Sequence, residues 1–120
     1  MNVSQKILPF LKHLEIKAQL PDGVQVLNPY RDKYTFQLCK QFYSKYYDDT
    51  AERFLIIGIN PGRFGGGLTG IPFTDPKKLE VNCTIPNSLT KKSELSADFI
   101  YQVIDGFGGP EKFFARFYFS

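Results

Sequence analysis

The stretch of sequence that decides the fold is FLIIGINPGRFGGGLTGIPFTD, residues Phe54 to Asp75. Its first six residues, FLIIGI, form a continuous apolar run, which is the pattern of a strand covered on both faces in a parallel sheet. The strand leads into a loop with five glycines between Pro61 and Ile71. Ligands of open α/β folds bind where the strands end. The stretch therefore predicts an α/β fold with a binding site in the Gly-rich loop, Gly58 to Asp75.

Two amphipathic helices are predicted before this stretch. Apolar residues recur at three- and four-residue spacing from Ser4 to Lys17 and between about Tyr34 and Tyr46, which places one face of each helix against a core. Pro9 should kink the first helix or delay its start. Turn signals around Val24 to Leu27 predict a short extended piece between the helices. The predicted core positions are Ile7, Leu8, Phe10, Leu11 and Leu14 in the first helix, and Leu38, Cys39, Phe42 and Tyr46 in the second.

The segment after the Gly-rich loop predicts one more long helix. A polar stretch broken by prolines extends to Ser93, and a helix is predicted to open at Ser96 and to end at the glycines that follow Ile104. Pro110 can start another short helix, after which Phe113 to Phe119 is expected to enter the sheet. The predicted core face of the long helix is Phe99, Ile100, Val103, Ile104 and Phe107.

The last apolar run, FFARFYFS, is expected to continue beyond Ser120. A parallel sheet with one complete strand and one beginning strand leaves backbone groups unpaired and apolar faces uncovered. Residues 1–120 are therefore interpreted as the N-terminal part of a single α/β domain.

Composition indicates an ordinary folded chain. Hydrophobic residues make up 42% of the sequence and aromatic residues 16%, which excludes a disordered protein. The formal charge of +3 is compatible with binding to a polyanion but excludes a histone-like basic surface. Charge alone does not indicate DNA.

The two cysteines, Cys39 and Cys83, are widely separated and have no nearby histidine. This spacing supports neither a zinc site nor a disulfide framework, and it favours a reduced cytoplasm. The N-terminal residues lack the apolar core and cleavage site of a signal peptide, and no stretch is long enough to span a bilayer. A soluble cytoplasmic protein without a metal ion or organic cofactor is expected.

The residue pattern of the Gly-rich loop allows three interpretations. A Walker A motif is disfavoured because Leu68-Thr69 follows Gly67 where a lysine is needed. A dinucleotide fingerprint is disfavoured because Pro72 and Pro76 should break the helix that its last glycines must open. Glycines that only supply positive φ angles are the ordinary explanation, but the density of glycines beside Asn60 favours a ligand site.

The loop resembles a known motif. Gly58 to Gly65, GINPGRFG, followed by Thr69 to Phe73, TGIPF, resembles the first motif of single-strand-selective monofunctional uracil-DNA glycosylases, and the longer loop is similar to the bacterial branch of that family. Similarity extends through Glu94-Leu95-Ser96 and GPEKFF, residues 109–114, so that most of the chain is covered. The resemblance implies a three-layer α/β/α fold and hydrolysis of the bond between uracil, or a related pyrimidine, and deoxyribose in DNA.

The resemblance assigns roles to individual residues of the loop. Asn60 is expected to position the attacking water, since an amide cannot act as an ionised base. Phe73 is expected to stack on the flipped base. Backbone N–H groups from about Ile59 to Phe64 would donate to a pyrimidine carbonyl. Gly62, lacking a side chain, would leave room for a 5-substituent on the ring.

Other loop residues have less specific roles. Phe64 is expected to pack the loop more than to touch the base, and Arg63 either meets a phosphate or is solvated. Lys91 and Lys92 are candidate contacts to the DNA backbone, as are Lys77 and Lys78, although paired lysines are usually ordinary surface.

Parts of the family's active site have no counterpart in this sequence. The resemblance calls for a later strand that recognises the base, a histidine near the C-terminus and a wedge that fills the duplex. The single histidine, His13, lies outside any matching motif and is not expected to be catalytic. Little excision by the 120-residue chain is therefore expected, and a monomer is expected for a complete enzyme. A non-catalytic nucleic-acid or nucleotide-binding module and a purely structural α/β fragment are the alternatives.

Overall fold

The computed structural model describes all 120 residues, Met1–Ser120. Two strands pair in parallel, with Phe54 opposite Phe117 and Ile56 opposite Phe119, and helices precede the first strand and separate it from the second along the chain. The elements are α1 Val3–His13, a 3-10 turn Pro29–Arg31, α2 Lys33–Tyr46, β1 Phe54–Ile56, α3 Gly66–Thr69, α4 Pro76–Val81, α5 Leu95–Phe107, α6 Pro110–Phe114 and β2 Phe117–Phe119. The predicted α/β class with a parallel sheet is confirmed.

Strand β1 is shorter and less covered than predicted. Only Phe54–Ile56 form the strand, although the N–H of Gly58 still donates to the carbonyl of Ser120 at 2.9 Å. The expectation of burial on both faces is wrong, because Phe54, Leu55 and Ile57 are exposed. The physical reason is that β2 is the one element that packs closely on β1. Strand β2 forms within the predicted run from Phe113 to Phe119.

Helix α1 begins earlier and ends earlier than predicted. Asn2 caps it in a box with Gln5, and Pro9 lies inside the helix without delaying its start. The helix ends at His13, because Leu14 adopts an extended conformation with ψ of 121°. Leu11 is buried, but the predicted core positions Phe10 and Leu14 are exposed. Val24 to Leu27 forms no strand, and Val24, Val26 and Leu27 are exposed.

The core is built from aromatic side chains, and the prediction for α2 is confirmed. Leu38, Cys39, Phe42 and Tyr46 are all buried. Phe42 contacts Tyr46 and Phe114 edge to face, with ring centroids 5.1 Å apart in each pair. Edge-to-face pairs of this kind stabilise a core beyond the area that they bury.

Helix α5 presents a different face to this core than predicted. Ile104 is buried as expected, but Phe99, Val103 and Phe107 are exposed, with Phe99 at 65%. The buried positions are instead Ala97, Tyr101 and Ile104. Tyr101 can enter the core because its hydroxyl pairs with that of Thr74 at 2.8 Å, which satisfies its one polar group. Gly108 and Gly109, both with positive φ, end the helix as predicted, whereas Gly106, which was expected to help end it, lies inside the helix.

Two short helices interrupt the stretch that was expected to be irregular. Helix α3 is a single turn within the Gly-rich loop, and α4 begins at Pro76. No helix opens from the last glycines, as expected, since Gly70 ends α3. What was not predicted is that Pro76 begins a new helix, in which Asp75 accepts from the N–H of Lys78 as an N-cap. A proline is favourable there, since its missing N–H is not needed.

Both cysteines are free and buried. Burial raises the pKa of the Cys39 thiol to about 12 and that of Cys83 to about 11, so both thiols remain protonated at neutral pH. The Cys39 Sγ donates to the carbonyl of Thr69 at 3.3 Å and thereby links α2 to α3. No helix has the length and apolar character needed to cross a membrane.

Arg53 ties the end of α2 to the segment before β2. Its side chain is only 3% exposed, and it donates to both carboxylate oxygens of Asp49, at 2.8 and 2.9 Å, and to the carbonyl of Phe114 at 2.6 Å. The guanidinium also lies over the ring of Tyr47, 4.8 Å from its centroid. Hydrogen bonds from Arg53 hold the pKa of the Asp49 carboxyl below its usual value.

We expect Arg53→Met to lower the free energy of unfolding by about 2–3 kcal/mol, because it removes several charged hydrogen bonds and leaves the Phe114 carbonyl unpaired. Chemical denaturation at pH 7 measures this loss. The Asp49 contribution is present above the ordinary aspartate pKa of about 3.9 and is lost as the pH falls through the depressed folded-state value. The difference between Asp49→Asn and wild type should therefore shrink on acidification. Arg116→Met, at an exposed arginine, is the matched control, and an equal loss there would contradict the assignment.

Candidate active site

A cleft of about 590 Å³ opens at the end of β1. It is formed where the Gly-rich loop leaves the strand and meets the start of α5 and the end of β2. Clefts at the carboxyl ends of parallel strands are the usual ligand sites of open α/β folds. The residues lining it are Ile57, Gly58, Ile59, Asn60, Pro61, Gly62, Gly66, Pro72, Phe73, Glu94, Ser96 and Ser120.

Asn60 and Ile59 occupy the mouth of this cleft. Both residues are exposed, and the Asn60 side chain has no hydrogen-bond partner within the protein. A capping or turn role would require such a partner. The amide is therefore free to bind a ligand or a water molecule in the cleft.

Phe73 also lines the cleft and has a strained backbone conformation. Its φ of 57° falls in the left-handed region, which is unusual for a bulky side chain. The ring packs edge to face on Phe119, with centroids 4.9 Å apart. A Cβ atom at Gly58 would lie 3.0 Å from the end of the ring. Glycine at position 58 therefore allows the ring of Phe73 to lie against the strand exit.

Buried hydrogen bonds determine the path of the Gly-rich loop behind the cleft. The Thr69 hydroxyl donates to the carbonyl of Thr74 at 2.7 Å, and the Tyr30 hydroxyl donates to that of Gly70 at 2.9 Å. The N–H of Gly67 donates to the carbonyl of Gly62 at 2.8 Å. A Cβ at Gly67 would approach that same oxygen to 2.7 Å. The turn of α3 therefore requires glycine at position 67.

The predicted basic contacts separate into two groups. The Lys92 Nζ lies 4.5 Å from the centroid of the Phe64 ring, and the Arg63 guanidinium lies 6.0 Å from the same centroid. Two cations thus flank one partly exposed aromatic ring beside the cleft. Lys91 is engaged elsewhere, since its Nζ donates to the carbonyl of Leu89 at 3.0 Å and to the Asn87 side chain at 2.7 Å.

Glu94 is the cleft residue whose contact was not anticipated from the sequence. Its Oε1 accepts a hydrogen bond from the N–H of Phe64 at 2.7 Å, across thirty residues of sequence. The same carboxylate occupies the space next to Gly62, where an added Cβ would collide with it. The sequence signal at this position was limited to the Glu94-Leu95-Ser96 similarity, which says nothing about a contact with the loop.

Asp75 connects Glu94 to the rest of the loop. Its side chain is fully buried. One oxygen accepts from the N–H of Lys78 at 2.8 Å, and the other accepts from the N–H of Glu94 at 3.0 Å. The Lys78 ammonium lies 3.9 Å from the second oxygen and also pairs with Asp98. Asp75 therefore fixes the starts of α4 and α5 relative to each other.

One of three comparisons with known proteins finds a match. No protein-family model matches the chain, and no curated protein matches it. A solved structure that does match is the crystal structure of wild-type Pedobacter heparinus SMUG2, at 48% sequence identity and a TM-score of 0.94. The match covers 100% of this chain and 52% of that one.

The chain is similar over its whole length to a single-strand-selective monofunctional uracil-DNA glycosylase. The resemblance predicted from the Gly-rich loop is thereby confirmed, together with the α/β fold. The chain spans about half the length of the SMUG2 protein that it matches. Its structure brings Ile59, Asn60, Gly62 and Phe73 into one cleft. The individual roles of these residues stay predictions.

We expect Asp75→Ala to destabilise the chain by about 2–3 kcal/mol, because it removes the cap of α4 and leaves the Glu94 N–H without an acceptor. Asp75→Asn keeps one acceptor oxygen and should lose less. Thermal and chemical denaturation measure both losses. Asp22→Ala, at an exposed turn, is the control and should change little; a neutral Asp75→Ala would contradict the role assigned to this carboxylate.

Proposed function

We propose that this chain carries the base-binding part of a DNA glycosylase that flips uracil, or a 5-substituted uracil, out of DNA and hydrolyses its glycosidic bond. The observation that carries the proposal is the placement of Asn60 and Phe73 on one cleft at the end of β1, in a chain 48% identical to SMUG2. A base that leaves the stack needs an aromatic surface and polar partners. This cleft offers both.

Phe73 would stack on the flipped base. Its ring packs edge to face against Phe119. Its backbone is held in the left-handed region by the surrounding loop. A ring with few alternative positions loses little freedom when a base stacks on it. The arrangement therefore favours binding of a planar ligand.

Asn60 would hold the attacking water. An amide both donates and accepts hydrogen bonds but does not ionise as a base. The proposed reaction therefore proceeds by cleavage of the glycosidic bond toward an oxocarbenium-like sugar, with water positioned for addition and the base departing as an anion. No metal ion or organic cofactor is needed for this chemistry.

Backbone donors would stabilise the departing base. Between Ile59 and Phe64, the N–H of Phe64 already donates to Glu94, whereas those of Ile59, Asn60, Gly62 and Arg63 have no acceptor within the protein. Unpaired N–H groups at the edge of a cleft stabilise negative charge in the manner of an oxyanion hole. The donors proposed for a pyrimidine carbonyl are therefore these four groups and exclude Phe64.

The 5-substituted part of the proposed substrate range depends on Gly62. The space beside this glycine, which the sequence suggested to be free for a 5-substituent, is occupied by the Glu94 carboxylate, which also lines the cleft. A hydroxymethyl group on the ring carries an O–H donor that a carboxylate accepts. Uracils with a hydroxylated 5-substituent are thus the modified bases that this edge of the cleft fits best.

Arg63 and Lys92, which both lie near the ring of Phe64, would contact the DNA backbone. Phosphate contacts of this kind position DNA without reading its sequence. Lys91 is a weaker candidate, because its ammonium is held by main-chain carbonyls. Its substitution should affect binding less than that of Lys92.

We expect the chain to bind a single-stranded oligonucleotide with one deoxyuridine more tightly than the same strand with thymidine in its place. Phe73→Ala should weaken this binding by about five-fold or more, since base–aromatic stacking contributes roughly 1–3 kcal/mol. Fluorescence anisotropy with the labelled strand measures both affinities. The control is Phe10→Ala on α1, a phenylalanine that is 65% exposed and does not line the cleft. Equal binding of the two strands by wild type would contradict the proposed function.

We also expect little release of uracil by the 120-residue chain. Its one histidine, His13, lies on α1 and bonds the carbonyl of Pro9 at 2.8 Å, outside the cleft. The uracil anion would thus depart without an imidazole donor. Strand cleavage at abasic sites after incubation with a deoxyuridine oligonucleotide measures excision. Rapid release would refute this expectation, whereas preferential binding without release also fits the alternative of a non-catalytic binding module.

A further inference from the structure

The Glu94 carboxylate occupies a defined position in the Gly-rich loop and is not one of the groups that the proposed reaction uses. It accepts the N–H of Phe64 at 2.7 Å, and it lines the cleft that holds Asn60 and Phe73. Glu94 is thirty positions away from Phe64 along the chain. The contact therefore joins the loop after β1 to the segment that begins α5.

Two glycines of the loop face this carboxylate and nothing else. For an added Cβ at Gly62 or at Gly65, all three of the nearest atoms belong to the Glu94 carboxyl group. At Gly65 the nearest of them is 2.6 Å away. Gly67 differs, because an added Cβ there meets the main-chain carbonyl of Gly62 first. The absence of a side chain at Gly62 and Gly65 thus leaves space for the Glu94 carboxylate. At Gly67 it leaves space for the main-chain carbonyl of Gly62.

The main chain of Glu94 is itself held in place. Its N–H donates at 3.0 Å to the buried carboxylate of Asp75, and Leu95 begins α5 directly after it. The backbone of Glu94 is therefore fixed at one end of the side chain, and the carboxylate at the other end holds the N–H group of Phe64 that donates to it. The position of Phe64 is therefore linked to Asp75 through Glu94.

We propose that Glu94 is a positioning residue of the Gly-rich loop, and that glycine is required at positions 62 and 65 because the Glu94 carboxylate passes between them. Its effect on base binding rests on the proposed function. By taking the N–H of Phe64, the carboxylate fixes the loop that carries the unpaired N–H groups of Ile59, Asn60, Gly62 and Arg63. Loss of this contact releases the loop and weakens binding of the base.

Hydrogen exchange at the Phe64 amide tests the contact directly. In Glu94→Ala the amide loses its acceptor, and we expect its exchange to accelerate at least ten-fold in the folded chain. Glu94→Gln keeps an acceptor oxygen of the same reach and should restore most of the protection. Gly62→Ala should displace the carboxylate and accelerate the exchange as Glu94→Ala does. Protection of Phe64 that is unchanged in Glu94→Ala would overturn the proposal.

A double-variant cycle then tests why glycine occupies position 62. Gly62→Ala should lower the melting temperature in wild type and should have little effect in Glu94→Ala, because its one obstacle has been removed. Gly67→Ala provides the matched control. It should lower the melting temperature equally in wild type and in Glu94→Ala, since the atom that its Cβ would meet is a main-chain oxygen. Additive effects of Gly62→Ala and Glu94→Ala would refute the explanation for this glycine.

Binding of the deoxyuridine strand tests the consequence for function. We expect Glu94→Ala to weaken it several-fold and Glu94→Gln to retain most of it. Tighter binding by Glu94→Ala would overturn the proposal, because it would mean that the carboxylate opposes binding of the base in the cleft. If wild type fails to prefer deoxyuridine, the proposed function fails, while the Phe64 exchange and the cycle still decide whether Glu94 positions the loop.

Discussion

A carboxylate that is fully buried needs hydrogen-bond donors for both of its oxygens, and Asp75 is such a carboxylate in this chain. Burial of an unpaired charge is far more costly than any single contact around it can offset. Asp75 meets the requirement with the N–H of Lys78, the N–H of Glu94 and the nearby Lys78 ammonium. The start of α4, the start of α5 and the end of the Gly-rich loop are consequently fixed at one point. The cleft, Glu94 and the turn of α3 all take their positions from it.

The sequence predicted the elements whose signals are local. The period of α2, the glycines after α5 and the apolar run of β1 each arise from neighbouring residues, and all three elements are found. The faces were harder to predict. Tyr101 is buried in α5 in place of Phe99, because a hydrogen bond to Thr74 compensates its hydroxyl, and hydrophobicity counts cannot register such a partner. Helix α4 was not predicted for a similar reason, since its start at Pro76 depends on Asp75 acting as a cap.

The residues of the site also differ in whether the sequence alone could identify them. The Gly-rich loop, with Asn60 and Phe73, could be identified because one continuous segment carries the family motif, and the structure places both residues on a single cleft. Glu94 could not be assigned, because its partner Phe64 is thirty residues away and only the fold brings them together. Residues that touch a ligand through one segment are visible in sequence. Residues that support that segment from another part of the chain require the tertiary structure.

The contact between Phe73 and Phe119 has a thermodynamic consequence. Phe119 is the last residue of β2 and pairs with Ile56 of β1. The ring of Phe73, which is proposed to stack on the base, therefore packs directly against a residue of the sheet. A ligand that binds only the folded state raises stability in proportion to the logarithm of its concentration. Occupancy of the cleft and pairing of the two strands are therefore linked equilibria. Any change that frays β2 will reduce affinity at a site some forty residues earlier in the chain, and occupancy of that site will in turn protect β2 from fraying.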